Sequence, residues 1–334
     1  MQAKKILLIQ LRQLGDILLT SPCITALKKD NPQHHIAFLC HRMGVPLLGD
    51  QPTLDALYTY HEKDSLRQKW NLLQTLRREQ FDYVFDFMNN PRSSLFAWWT
   101  RSINRYAFSS ARSLAYTHTI PRSSAESYIV EEKFSLLRSA HFSAGSEDLL
   151  CPKISPTDQT AVETLLSRQD FREAKLRVIL SPTHRRRARS WPHDRYLSLA
   201  AYLHQKWGAC VLWAWGPGEE EEIDQLISQC QTPSSKLPRT SIRELCAVMR
   251  HCDLFIGNSN GPSHLAVASS LCSLQLHGPT NSLSWCPMNS RHQAIQGVSM
   301  DAISLEQVQK KLEDPSFLRV FSERGSITTR ERRS

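Results

Sequence analysis

Apolar residues in this chain recur as short, strand-length runs, separated by longer segments in which apolar positions return with helical spacing. In the first half of the chain, the runs predict strands and the longer segments predict helices. The predicted strands are 5–11, 36–40, 57–60, 83–88 and 105–108, and the predicted helices are 17–29, 66–79, 94–101 and 126–140. This regular alternation indicates a mostly parallel sheet that is covered by helices on both faces.

The pattern restarts after a polar, proline-containing stretch, 145–158, which predicts a boundary between two domains. The second set of predicted strands is 177–180, 210–215, 253–256 and 272–277, and the predicted helices are 158–169, 193–207, 241–251, 262–270 and 304–312. A length of 334 residues also favours two domains. We expect residues 1–155 and 156–315 to form two doubly wound α/β domains that face each other across a cleft, followed by a basic tail, 316–334.

Polar loops follow several of the predicted strands. They are 12–16, 181–189, 216–220, 258–264 and 278–280. Ligands of doubly wound folds bind outside the carboxyl ends of the strands. We therefore expect these loops to contribute to one composite site.

The most informative of these loops lies within residues 255–266, where a strand ends, a tight polar turn follows and Pro262 stands in the first turn of a helix. Free backbone N–H groups and a partial positive charge make the start of such a helix a suitable site for a diphosphate. The same pattern also fits an ordinary strand-to-helix connection, so the loop alone does not decide between the two.

Composition and charge narrow the range of functions. The chain is 41% hydrophobic and 22% charged, and its longest apolar runs are too short to span a membrane. The amino terminus lacks the features of a signal peptide, which predicts a cytoplasmic protein. The nine cysteines contain no Cys-x-x-Cys pair, so we expect buried, reduced thiols and neither a zinc site nor a redox motif.

The net charge of +9 predicts an anionic partner. Its densest basic cluster, Arg185-Arg186-Arg187-Ala188-Arg189, lies between a predicted strand and a predicted helix. Nucleic acid, an anionic membrane surface and phosphorylated substrates all fit such a cluster. Nucleic acid is disfavoured, because the basic residues are not interleaved with aromatic residues and no nucleic-acid-binding motif occurs.

Two common nucleotide chemistries lack their motifs in this sequence. The Gly-x-Gly-x-x-Gly of dinucleotide-binding dehydrogenases and the Gly-x4-Gly-Lys-Ser/Thr of P-loop enzymes are both absent. Group transfer from a nucleotide-activated donor fits better. Glu219 or Glu220 would accept hydrogen bonds from ribose hydroxyls. Asp16 would be either the general base for an acceptor hydroxyl or the capping residue of a helix.

Five segments together resemble the ADP-heptose:lipopolysaccharide heptosyltransferases, which are glycosyltransferases of family 9 with the GT-B fold. The segments are residues 6–22, with Arg-Gln-Leu-Gly-Asp-Ile-Leu-Leu-Thr-Ser-Pro at 12–22, Arg-Ser-Trp-Pro at 189–192, Leu-Pro-Arg-Thr-Ser at 237–241, Gly-Asn-Ser-Asn-Gly-Pro-Ser-His-Leu-Ala at 257–266, and Gly-Pro-Thr at 278–280 with Trp285 and Pro287. The form of the first segment looks most like the members that add a later, branching heptose.

The resemblance implies an inverting transfer of L-glycero-D-manno-heptose from ADP-heptose to an inner-core lipopolysaccharide sugar, without a bound metal or another cofactor. It makes 1–155 the acceptor-binding domain and 156–315 the donor-binding domain, and it implies peripheral contact with the anionic inner face of the inner membrane. Asp16 is then the catalytic base. The implied donor-binding residues are Thr183, Arg189, Glu220, Thr240, Ser259, Asn260, Gly261 and His264, and the implied acceptor-binding residues are Arg12, Gly15, Asn90 and Arg92.

One position departs from the family pattern. Ser259 stands where the family usually has an Asp that is thought to bind hydroxyls of the donor sugar. A Ser keeps a hydrogen-bonding group but is shorter and uncharged. Two alternatives therefore accompany the leading hypothesis: the same fold with another nucleotide sugar, or a non-catalytic relative that binds glycans or partner enzymes.

Overall fold

The computed structural model describes residues 2–110, 113–123 and 126–322 of the chain. The chain divides into two compact units, residues 1–153 and 154–334, each with its own six-stranded sheet. All the strand pairs in both sheets are parallel, as the strand–helix alternation predicts.

In the first unit, the strands run in the order β3-β2-β1-β4-β5-β6. The strands are β1 Lys5–Ile9, β2 His35–His41, β3 Ala56–Tyr60, β4 Tyr83–Asp86, β5 Asn104–Phe108 and β6 His118–Ile120. The helices are α1 Leu14–Thr20, α2 Pro22–Asp30, α3 Val45–Leu48, α4 Leu66–Arg78, α5 Pro91–Trp99 and α6 Ile129–Arg138. The single helix predicted for 17–29 is thus wrong: two helices meet at Ser21, because Pro22 has no N–H to continue α1 and suits the first position of α2.

In the second unit, the order is β12-β11-β10-β7-β8-β9. The strands are β7 Leu176–Ser181, β8 Ala209–Trp213, β9 Ser234–Lys236, β10 Leu254–Asn258, β11 Cys272–His277 and β12 His292–Gln296. The helices are α7 Pro156–Leu166, α8 Gln169–Glu173, α9 His193–Trp207, α10 Glu220–Ser228, α11 Ile242–Arg250, α12 Gly261–Ala268, α13 Ser282–Trp285 and α14 Leu305–Leu312.

Both sheets have the strand order 3-2-1-4-5-6 of dinucleotide-binding folds when the strands of each unit are counted from one. The order reverses between β1 and β4 in the first unit and between β7 and β10 in the second. Loops that leave neighbouring strands in opposite directions open a crevice at this point, where such folds bind their ligands. The five polar loops predicted from sequence do follow strands: β1, β7, β8, β10 and β11.

Buried strand residues form the core of each unit. Leu7, Ile9 and Leu39 anchor the first core, and Val178, Leu180 and Ile256 anchor the second. Burying such a side chain contributes roughly 1.5–3 kcal/mol to folding. The strands that the sequence analysis missed, β6, β9 and β12, all lie at sheet edges, where one side faces solvent and fewer apolar residues are needed.

The second core continues beyond α14. Phe317 and Phe321 are 1% exposed and pack into it, so the tail predicted for 316–334 begins later than expected. Residues 323–334 lie outside the described part of the chain.

All nine cysteines are free, as predicted, and seven are buried. Burial raises the pKa of the Cys23 and Cys40 thiols to about 12, so these two thiols are uncharged at neutral pH. Among the described residues, none of the helices combines the length and the apolar character that crossing a bilayer requires.

Candidate active site

The loops after β7 and β10 are joined by Asn258, the buried last residue of β10. Its Nδ2 atom donates to the Pro182 carbonyl oxygen at 2.8 Å, and its Oδ1 atom accepts from the Trp191 amide at 3.0 Å. Asn258 therefore fixes both ends of the arginine-bearing loop 182–191 beside the start of α12.

The start of α12 is capped by Asn260. The Asn260 Oδ1 atom accepts from the Ser263 amide at 3.3 Å, and its Nδ2 atom donates to the Thr183 carbonyl oxygen at 3.2 Å. Pro262 has no N–H, so the Gly261 amide is the remaining donor of the first turn. A Cβ atom at Gly261 would meet nothing within 4 Å. This open helix start suits an anionic ligand.

Thr183 links this region to the loop after β8. Its buried hydroxyl donates to Glu219 Oε2 at 2.6 Å, and the same oxygen accepts from the Gly216 amide at 2.8 Å. The neighbouring Glu220 instead pairs with Lys236 at 3.0 Å on the surface. Glu219, not Glu220, therefore holds the two loops together.

Arg189 ends the 3-10 turn Arg187–Arg189 and is half-buried. In the described part of the chain its guanidinium has no ion-pair partner. The ring of His184 lies near the Ser259 backbone, and burial and the charge of Arg189 lower the pKa of this histidine. A cation and a neutral imidazole therefore lie close to the Ser259–Gly261 turn.

Two buried histidines lie behind the turn. Burial lowers the pKa of His264 and of His277 to about 4, and the proximity of His277 adds to the shift of His264. The Nδ1 atom of each ring has no hydrogen-bond partner among the described residues. Both rings are therefore neutral at physiological pH and keep a nitrogen free for hydrogen bonding.

In the first unit, the loops after β1 and β4 are tied through Met88. Its sulfur accepts from the Leu11 amide at 3.0 Å and from Asn90 Nδ2 at 3.7 Å. Asn90 also caps α5, because its Oδ1 atom accepts from the amides of Arg92 and Ser93 at 3.0 and 2.9 Å. The start of α5 is thus fixed beside the loop that leads into α1.

Asp16 lies in the first turn of α1 and is partly exposed. Its Oδ2 atom accepts from the Gln13 amide at 3.0 Å, which completes a capping box. The capping role that the sequence left open is therefore present. The other carboxylate oxygen has no hydrogen bond to a described residue and remains available to a ligand.

A cluster around Glu62 gathers side chains from the carboxyl ends of four neighbouring strands, β3, β2, β1 and β4. Glu62 Oε1 lies 3.0 Å from an Arg12 nitrogen and 3.5 Å from an Arg92 nitrogen, and Oε2 lies 3.0 Å from His41 Nε2. Although desolvation opposes the shift, backbone hydrogen bonding and these three side chains lower the pKa of Glu62. Two arginines predicted to bind the acceptor thus share one carboxylate.

His41, His61 and Glu62 have the residue types and spacing of a metal site. The hydrogen bonds argue for another chemistry. Nδ1 of His41 accepts from the Met43 amide at 3.1 Å, and Nδ1 of His61 accepts from the Lys63 amide at 3.0 Å. In a neutral ring the proton is then on Nε2, which becomes a donor and has no lone pair for a metal. The Glu62 cluster is better suited to an anion.

The model of glycosyltransferase family 9 (heptosyltransferase) matches residues 69–313, nearly three quarters of the chain. The chain belongs to this family. It is therefore a glycosyltransferase, and its two sheets are those of the GT-B fold that the sequence predicted.

Known relatives resemble this glycosyltransferase over most of its length. Lipopolysaccharide heptosyltransferase 3 of Escherichia coli is 25% identical over 83% of this chain and 84% of its own. A family 9 glycosyltransferase of Veillonella parvula has a TM-score of 0.83 at 20% identity, covering 95% of this chain and 97% of its own. E. coli heptosyltransferase WaaC, solved with ADP-2-deoxy-2-fluoro heptose, has a TM-score of 0.73 at 16% identity, covering 93% and 99%.

The structure of this family 9 enzyme groups most of the predicted site residues within each unit. Thr183, Arg189, Ser259, Asn260, Gly261 and His264 surround the switch point of the second sheet, and Arg12, Gly15, Asp16, Asn90 and Arg92 surround that of the first. Thr240 lies apart from the first group, in the loop between β9 and α11, and Glu220 points to Lys236. The ligand-binding roles of all these residues remain predictions.

Several residues of the enzyme's sites were missed from sequence, although signals for some were present. Glu62 follows a strand that was predicted, so it shares the position of the loops that were selected. Lys133 occupies the apolar stripe of α6 together with Val130, Phe134 and Leu137, where a lysine is unexpected. His184 has no distinguishing pattern around it.

Lys133 is 5% exposed, and its ammonium group lies 5.2 Å from the centre of the Phe87 ring. Burial lowers its pKa, although the charge of Asp16 opposes the shift.

We expect Lys133→Met to raise the free energy of unfolding by about 1–2 kcal/mol at pH 7, since it removes a desolvated charge. The gain should shrink as the pH rises towards about 10.4, the pKa of an unfolded lysine. Urea unfolding measures it, and Lys28→Met, which breaks the 2.8 Å pair with Asp55, should show no gain.

The buried histidines predict how stability changes with pH. The pKa of His264 is about 4 in the folded chain and about 6.5 when unfolded, so the unfolded state binds more protons between these values. The contribution of each neutral ring to the free energy of unfolding is therefore fully present above pH 6.5. It falls by about 3 kcal/mol per histidine as the pH drops to 4. We expect His264→Gln and His277→Gln to flatten this loss in urea unfolding at several pH values. An unchanged slope would show that neither ring is neutral in the folded protein.

Proposed function

We propose that this enzyme is an inverting heptosyltransferase that transfers heptose from ADP-heptose to an inner-core sugar of lipopolysaccharide. The observation that carries the proposal is the open, capped start of α12 near Arg189, which has no ion-pair partner among the described residues, in a chain that belongs to the heptosyltransferase family. The lipopolysaccharide heptosyltransferases among the relatives, and the ADP-heptose analogue bound to WaaC, support these donor and acceptor classes.

The second unit would hold the donor. The diphosphate would accept hydrogen bonds from the Gly261 amide and from the Arg189 guanidinium, which can bind two oxygens at once. The adenosine would lie against the loops after β8 and β9, where Trp215 Nε1 donates to the Leu237 carbonyl oxygen at 2.7 Å and orders both loops near Thr240. Ser259 and the neutral His264 would contact the heptose.

The first unit would bind the acceptor and carry the base. The acceptor hydroxyl oxygen forms a bond to the anomeric carbon of the donor while the bond from that carbon to the diphosphate oxygen breaks. Asp16 takes the hydroxyl proton, and ADP leaves with the electron pair. A single displacement of this kind inverts the anomeric centre. Arg12 and Arg92 would bind anionic groups of the acceptor.

The proposed acceptor is made at the inner membrane, so we also propose a cytoplasmic enzyme that contacts the anionic inner leaflet peripherally. The net charge of +9 supports this contact, because basic surfaces bind anionic lipid.

A transfer assay tests the proposal. The enzyme is incubated with ADP-heptose and a series of truncated lipopolysaccharides, and the masses of the acceptors are measured by mass spectrometry. We expect one acceptor of the series to gain one heptosyl unit, with an equal amount of ADP released. Release of ADP without a heavier acceptor, or no reaction with any acceptor, would overturn the proposal.

Ser259 favours a second candidate, the transfer of a different sugar from another nucleotide. Its hydroxyl has no hydrogen bond to a described residue, and it lacks the charge of the Asp that the family usually has at this position. Calorimetric titration with ADP, UDP and GDP separates the candidates. Preferential binding of ADP supports the heptose donor, whereas preference for UDP or GDP supports the alternative.

A further inference from the structure

The first unit has an exposed apolar face on α4, α5 and the segment that follows α5. Six large apolar side chains on this face are between 46% and 97% exposed: Leu66, Trp70, Leu95, Trp98, Ile103 and Leu114. In the second unit, among the described residues, the large exposed apolar side chains are Leu283, Met288 and Val298. Exposed apolar patches of this kind usually mark a binding surface.

The tryptophans make this face continuous. Trp70 of α4 contacts Trp99 of α5 edge to face, with ring centres 5.2 Å apart, and Trp98 lies 6.1 Å from Trp99. Leu66 and Trp70 are one turn apart on α4, and Leu95 and Trp98 are one turn apart on α5. Both helices therefore present apolar side chains on adjoining surfaces, which we call the tryptophan face.

Basic residues surround the tryptophan face, and the chain segments that form it contain no acidic residues. No Asp or Glu occurs in 66–78 or in 91–123. A surface pocket of about 250 Å³ beside Trp98 and Trp99 is lined by Arg77, Arg101 and Arg105. Arg67 and Arg78 are also exposed on α4. The segments that carry the apolar side chains thus have a net positive charge.

This combination identifies the partner by its chemistry. A second copy of the chain would bring a second set of arginines against the first, which like-charge repulsion opposes. An anionic bilayer offers an apolar interior for leucine, an interfacial layer that tryptophan favours and phosphate groups for arginine. We propose that the tryptophan face binds the enzyme to the surface of an anionic bilayer.

This inference rests on the proposed function and adds to it the surface that makes the membrane contact. The tryptophan face shares α5 with Arg92, and Glu62 lies shortly before α4. A membrane-bound face would therefore keep the predicted acceptor residues near the bilayer that contains a lipid-linked acceptor.

Vesicle sedimentation tests the proposal with the full chain. The protein is mixed with vesicles of phosphatidylcholine, with or without about one third phosphatidylglycerol. We expect strong binding to the anionic vesicles alone, weakened by salt. Trp70→Ser with Trp98→Ser should lower the partition coefficient at least about ten-fold, and Arg101→Gln about five-fold. Val298→Ser and Arg138→Gln are matched exposed controls outside the face and should bind as the wild type does.

A second pair of variants separates a loss of membrane binding from a loss of folding. Leu66→Gln and Leu114→Gln change side chains that are 86% and 97% exposed, so they should weaken vesicle binding without lowering thermal stability. Binding that is unchanged in these and in the tryptophan variants would overturn the proposal. So would a dimer in analytical ultracentrifugation that Trp98→Ser dissociates, since the face would then bind a second copy.

The result can be separated from a failure of the proposed function. Vesicle binding needs neither donor nor acceptor, so it can succeed when transfer fails. If transfer succeeds, the tryptophan variants should keep the wild-type rate on an acceptor without its lipid and lose rate on vesicle-bound acceptor. An equal loss on both acceptors would contradict a role in membrane binding.

Discussion

Replacing Asp16 with Asn is expected to lower kcat for heptosyl transfer by about 10²–10⁴-fold, because Asn cannot accept the proton of the acceptor hydroxyl. The binding of ADP should not change, since the predicted donor residues all lie in the second unit. Steady-state kinetics with ADP-heptose and calorimetry with ADP measure the two effects. A variant that keeps a tenth or more of the wild-type kcat would exclude Asp16 as the base.

Asp16 also caps α1, so a structural effect must be separated from a catalytic one. Asp158 offers a matched control: it occupies the equivalent position of α7, where its Oδ2 atom accepts from the Ser155 amide at 2.8 Å. Each Asp→Asn change should lower the free energy of unfolding by about 0.5–1 kcal/mol. The Asp158 variant should keep its activity. A comparable loss of activity in both variants would point to helix capping alone.

Replacing Arg189 with Ala is expected to weaken the binding of ADP and of ADP-heptose by about 10–100-fold. The change removes a charge-assisted hydrogen bond to the diphosphate, which contributes roughly 1.5–3 kcal/mol. Arg189→Lys should keep part of the affinity, because the charge remains while the bidentate geometry is lost. Calorimetry with ADP and with adenosine measures the effect, and adenosine binding should not change.

Arg187 supplies the control for Arg189, because it lies in the same 3-10 turn and is exposed. Arg187→Ala should weaken ADP binding by less than about three-fold, the effect of a screened surface charge. If both variants lose affinity equally, the loop acts through its overall positive charge, and Arg189 has no specific contact with the diphosphate.

The parallel sheets and the carboxyl-end position of the site loops were predictable from sequence, since both follow from the strand–helix alternation. The order of the strands was not, because the same alternation is compatible with more than one order. Short edge strands such as His118–Ile120 were not, because one open side frees them from the apolar pattern that identifies a buried strand. The helix predicted across Ser21 failed for a local reason, because Pro22 cannot continue α1 and begins a second helix.

The candidate sites were less predictable than the fold. Motifs identified Asp16, Arg189 and the Asn258–His264 loop as candidate site residues. Glu62 lies outside these motifs, and its ion-pair partners are distant in sequence. The choice between Glu219 and Glu220 depends on which side chain turns inward at the start of α10, and sequence spacing does not determine that. The sequence shows Lys133 as a charged residue in the apolar stripe of α6. Its proximity to Asp16 could be recognised only from the structure.

The anomeric configuration of the product shows directly whether the enzyme transfers heptose with inversion. Proton NMR of the reaction with ADP-heptose and the accepted lipopolysaccharide sugar follows the anomeric signals of donor and product together. We expect a new glycosidic heptose with the configuration opposite to that of the donor, formed by the wild type and not by Asp16→Asn. A product with retained configuration, or free heptose released to water in place of a glycoside, would contradict it.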